Sequence, residues 1–156
     1  MSEDARFEDG REAPLNLGAE DASDLSVLSS LCQDAVFPIT EMRWQMRQRR
    51  FALLLNRFRW EDDGRIRHGA ERVQSVLSFD DVLGVASQGV DRSQTETVLS
   101  LLSITLEPGE DGTGEVLLTL AGDGAIRLQV EALGARLRDV TRPYVAPSRQ
   151  TPQHPE

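Results

Sequence analysis

Lysine is absent from this chain: all 17 of its basic residues are arginine. Each cation is therefore permanently charged and fork-shaped, suited to bidentate contact with carboxylate or phosphate. A GC-rich coding sequence supplies arginine by default, so the bias alone marks no function. Cysteine occurs once, at Cys32, which excludes an intrachain disulfide and a cysteine-based zinc site. Histidine occurs twice, as His68 in a charged turn and His154 near the C-terminus, and neither has a partner at ligand spacing. A histidine metal site or a Ser-His-Asp triad lacks its parts. No apolar run approaches the roughly 20 residues of a membrane span. The opening "MSEDARFEDGREAP" is acidic and lacks the apolar stretch of a secretory signal. No phosphate loop is present, because "GEDGTG" (109–114) lacks the Lys-Ser/Thr ending. These absences lead us to expect a cytoplasmic protein with no membrane contact, no cofactor and no metal.

What is present is unevenly charged. The net charge of the 156 residues is −9, which repels phosphate polymers at long range. Residues 1–24 hold eight acids and two arginines, whereas residues 43–72 hold nine arginines against four acids. That basic island, "MRWQMRQRRFALLLNRFRWEDDGRIRHGAER" (42–72), also carries four of the eight aromatic residues. Salt screens fields over about 8–10 Å, so a local basic face can still meet an anion.

The chain divides into an acidic tail (1–14), an ordered part (15–142) and a proline-rich tail (143–156), with both tails expected to be disordered. Asp21 to Ala35 reads as a helix, with Leu25, Leu28, Leu31, Cys32 and Ala35 on one stripe and Asp21 as N-cap. The period then changes to two. Met42, Trp44 and Met46 alternate with polar residues, and Phe51, Leu53 and Leu55 begin a second strand. Further alternations run through 73–79, 82–87, 98–106, 116–120 and 126–130. Glu131 to Val140 reads as a closing helix, with Leu133, Leu137 and Val140 on one face. The expected fold is α+β: about seven antiparallel strands as a sandwich or partly open barrel, with one helix before and one after. That element order is similar to the one in pleckstrin-homology-like barrels.

Five blocks carry a family resemblance: "LCQDAV" (31–36), "RRFALLLNRFRWE" (49–61), "GVDRS" (89–93), "LSLLSITLEPGED" (99–111) and "GDGAIRLQVEALGARLRDV" (122–140). In this order they resemble a bacterial family of domain of unknown function 2948. The resemblance implies a small intracellular bacterial protein and brings no activity or site residue with it.

Two segments are candidate sites. Arg43, Arg47, Arg49, Arg50, Arg57 and Arg59 would form a basic ridge beside Trp44, Phe58 and Trp60, suited to phosphate contact with base stacking or to an acidic peptide. The structural alternative pairs those arginines with neighbouring carboxylates and sends the rings to the core; Trp44 does share the apolar face of Met42 and Met46, away from Arg43. The polar loop "SQGVDRSQTET" (87–97) groups Asp91, Arg92 and Ser93, either to line a site or to cap a turn. Cys32 falls on the apolar stripe of the first helix and reads as core. Taken together, these features read as a non-catalytic interaction or regulatory module with a protein partner or a second copy of itself. One alternative is anion or nucleic-acid binding through 42–72. Another is an enzyme whose carboxylate–arginine site assembles only in three dimensions.

Overall fold

Period-two patterning becomes eleven strands, beside one α-helix, across residues 14–60 and 71–145, the part that this computed structural model describes. In chain order the elements are β1 (Asn16–Ala19), α1 (Ala22–Leu31), β2 (Ala35–Pro38), β3 (Met42–Gln45), β4 (Arg50–Phe58), β5 (Glu71–Phe79), β6 (Val82–Gln88), β7 (Val98–Pro108), β8 (Gly114–Leu120), β9 (Ala125–Val130), β10 (Ala135–Asp139) and β11 (Tyr144–Val145). Every pairing is antiparallel. The sheet runs β1-β10-β5-β4-β2-β7-β8-β9-β6, with β3 also on β4 and β11 also on β5. Inward residues of both halves, Leu53, Leu77 and Leu137 from one and Ile104, Leu118 and Leu128 from the other, share one buried cluster. The sheet therefore curves until its halves face each other. Each such side chain contributes about 1.5–3 kcal/mol by leaving water.

Corners fix that curvature. The Asp80 N–H donates to the Gly134 carbonyl at 2.8 Å and the Glu131 N–H to the Asp81 carbonyl at 2.9 Å. The Val82 N–H reaches the Arg49 carbonyl at 2.9 Å, which holds the start of β6 beside the β3–β4 turn. Helix α1 packs on β7, β1 and β10 and buries Leu25 and Leu28. Its N-cap is as expected: the Asp21 carboxylate accepts from the Asp24 N–H at 2.8 Å. It stops four residues short of Ala35, because Asp34 adopts a left-handed φ of 63° and turns the chain into β2.

The sequence expectation of seven strands and a closing helix needs correction. Residues 131–140 form a turn and β10, in which Ala135, Leu137 and Asp139 are buried and Arg136 and Arg138 exposed. Gly134 interrupts the helical reading, and the alternation after it is of period two. Without that helix, the likeness to a helix-closed barrel order loses its C-terminal element. β1, β2 and β11 are short, and β1 and β2 contain glycine or proline, so they lack a long alternation. In β7 a register shift between Leu101 and Ser103 moves Leu102 outward, so Leu101 and Ile104 are the buried pair. Met46 lies in the β3–β4 turn and is 70% exposed. Tyr144 and Val145 pair with β5, inside the segment expected to be a tail; the remaining tail residues, 1–13 and 146–156, lie outside the described residues.

Candidate functional site

The structure disperses the arginine ridge. Arg43 points outward from β3 and is exposed, and Arg47 is exposed in the following turn. Arg49 pairs with Glu131 at 3.1 Å and Arg50 with Asp80 at 2.8 Å, both across exposed surface. Arg57 is fully buried, and Arg59 is held by Glu71 at 2.9 Å. Neither belongs to an exposed basic surface, which corrects the expectation for both. Two of the three rings are also withdrawn, and the third is tethered. Trp44 faces inward with Met42, Phe58 is buried, and the Trp60 indole N–H donates to the Gln33 carbonyl at 2.9 Å. Arg65, Arg67 and His68 of the island lie outside the described residues.

Arg57 sits in a satisfied network. Its Nη2 contacts Asp139 Oδ1 at 2.9 Å, its Nε donates to Ser75 Oγ at 3.0 Å, and its Nη1 donates to the Phe58 carbonyl at 3.2 Å. Ser75 Oγ donates in turn to Asp139 Oδ1 at 2.6 Å, while Asp139 Oδ2 accepts from the Leu15 N–H at 2.9 Å. One buried carboxylate thus joins β4, β5, β10 and the entry to β1. The arrangement is structural: a buried charge needs such partners to be tolerated at all.

The 87–97 loop brings Asp91 and Arg92 to different ends. Asp91 Oδ1 accepts from the Ser93 hydroxyl at 2.6 Å and from the Ser93 N–H at 3.0 Å. Those bonds, the hydroxyl's first, lower the Asp91 pKa below its ordinary value. Asp91 therefore shapes the turn. Arg92 instead lines a cavity of about 100 Å³ with Met42, Trp44, Phe51, Val85, Ser87 and Ile126. The cavity opens between β3 and β6, which, among the described residues, pair only with β4 and β9 respectively. Its walls are largely apolar, and Trp44, Ser87 and Arg92 bring hydrogen-bond donors, with no acidic neighbour among the described residues of the lining. Among the described residues, Arg92 makes no ion pair.

The family described as Protein of unknown function (DUF2948) matches residues 15–154. The chain belongs to the DUF2948 family. That match spans every described element and the cleft between β3 and β6. No curated protein and no solved structure matches this DUF2948 chain significantly.

Sequence reasoning missed two groups of residues. Val85 on β6 and Ile126 on β9 meet through the β6–β9 pairing. Arg136 and Arg138 were hidden by the helical reading of 131–140; on β10 they share one exposed face. The available signal was Gly134 followed by strict alternation.

Proposed function

We propose that this DUF2948 domain is a non-catalytic interaction module of the cytosol that binds an acidic peptide segment along the cleft between β3 and β6. The observation that carries the reading is the cavity: apolar walls sized for one side chain, with Arg92 at hand and no acid among the described residues of the lining. A cavity of about 100 Å³ is too small for a cofactor or drug-sized ligand, which need about 300–1,000 Å³. It suits one medium apolar side chain. Strand edges on either side supply backbone donors and acceptors to an extended peptide, and the cavity selects its anchor. The Arg92 guanidinium takes a carboxylate from a neighbouring peptide position.

The basic-hairpin reading receives no such support, because Trp44 faces inward and Phe58 is buried, and the half-exposed Trp60 ring is tied to the Gln33 carbonyl. A random peptide library selected on the intact chain tests the cleft. Enriched peptides should share a medium apolar residue with an acid within two positions. Arg92→Ala should weaken them about tenfold, or about 1.4 kcal/mol, and Val85→Trp should block them. Enrichment that ignores both variants, or no enrichment, rejects the reading.

A further inference from the structure

We propose that the outer face of β1, β10, β5, β4 and β3 is a second interaction surface, built to receive an acidic amphipathic helix of a partner protein. It lies on the opposite side of β3 and β4 from the side chains that line the cleft, and it does not rest on the cleft reading.

Register places the residues. Gly18, Arg136, Ser78, Ala52 and Arg43 form one row across the five strands, and Arg138, Val76 and Leu54 form the next. Their inward neighbours, Leu137, Leu77 and Leu53, are buried, so both rows face outward. The floor, Ala52, Leu54, Val76 and Ser78, is small or apolar, and guanidinium groups stand on both sides of it. Arg43 and Arg138 make no ion pair among the described residues. Arg136 is held in place: its Nη1 donates to Asn16 Oδ1 at 2.6 Å, and its Nη2 lies 3.4 Å from where a Cβ on Gly18 would stand. It leans toward β1 and leaves the floor open. The outward positions within these five strands hold five arginines and no carboxylate; Arg50 is paired with Asp80 just past the end of β5 and Arg72 lies over the Phe58 ring, so Arg43, Arg136 and Arg138 carry the charge of the face. That concentration stands out in a protein of net charge −9.

Geometry and charge select the occupant. Three strand spacings separate β10 from β3, about 14 Å. An α-helix with its side chains is about 10–12 Å across, so it fits between the two cationic sides. An apolar floor within a charged rim is the pattern of a protein interface. A phosphate polymer or an anionic membrane has less use for that floor, which an amphipathic helix covers with its apolar stripe. A single helix on a floor about 14 Å wide makes a small contact against the roughly 800 Å² per partner of a stable complex, so the contact is transient and salt-sensitive.

The test uses the intact protein and a stapled synthetic helix with alanine and leucine along one stripe and glutamate on both flanks. Single-stranded DNA and phosphatidylserine vesicles are run beside it. The helix is expected to bind at low salt and to weaken at least tenfold in Arg43→Glu/Arg138→Glu, with the melting temperature unchanged. Ser78→Phe, which raises the floor without altering charge, is expected to weaken it too. Arg92→Ala is expected to leave it intact, which separates this surface from the cleft. Failure of the helix to bind, binding that ignores both face variants, or preference for DNA or vesicles overturns the proposal.

Discussion

Arg57 and Asp139 meet at 2.9 Å across the intervening strand β5, with side-chain exposures of 0% and 4%. Because Ser75 and the Leu15 N–H complete the network, removing one charge strands the other. Asp139→Ala is expected to cost about 3–5 kcal/mol in urea unfolding. The apolar pair Arg57→Met/Asp139→Leu is expected to recover most of that loss, because a satisfied buried ion pair is close to neutral against a well-packed apolar replacement. Equal losses in the single and double variants would show that the network is worth more than its desolvation cost.

Asp91 offers a local pH measurement. Its carboxylate accepts two hydrogen bonds from Ser93, which favour the charged form and lower its pKa. The lowered folded-state value means that the turn's contribution is present above the ordinary aspartate range and fades as pH falls through the folded pKa. Ser93→Ala removes the larger cause. A carboxyl-carbon NMR titration of that variant should show Asp91 moving up toward its ordinary value. No movement would place the cause elsewhere.

The legible parts of the fold were those where one alternation ran unbroken. Val73, Ser75, Leu77 and Phe79 face inward as their spacing says, and so do Val116, Leu118, Leu120 and Ile126, Leu128, Val130. Reading failed where a local device shifted the pattern. The β7 bulge turned Leu102 out, Gly134 began a strand where Leu133, Leu137 and Val140 also fit a helix, and Asp34 ended α1 early. Arg92 was legible as a candidate, but the cavity it lines was not. The sites depend on pairings between strands distant in sequence, such as β6 with β9 and β10 with β5, which no local spacing encodes.

Helix α1 depends on a single side-chain cap. Asp21→Ala removes the 2.8 Å bond to the Asp24 N–H and leaves that donor to water. About 1 kcal/mol of stability should be lost. The helix packs beside β1 and β10, so hydrogen exchange in those strands should quicken before that in β8 and β9. Uniform acceleration would mean that α1 unfolds only with the whole protein.

Trp44 provides a direct optical readout of the cleft. It is half-buried and lines the cavity, whereas Trp60 lies outside the lining and is hydrogen-bonded to Gln33. In a Trp60→Phe chain, Trp44 is the remaining tryptophan. That substitution gives up the hydrogen bond to Gln33, about 0.5–1.5 kcal/mol, and keeps an aromatic ring beside Phe58, a change that a folded domain of ordinary stability tolerates. A peptide side chain entering the cavity displaces water beside the indole, so the emission should shift to the blue as the peptide saturates. Arg92→Ala should move the midpoint about tenfold higher without changing the end-point spectrum, because Arg92 holds the carboxylate and the walls hold the side chain. An emission that stays fixed while calorimetry still reports binding would place the peptide away from β3 and β6, and the cleft reading would fall with it.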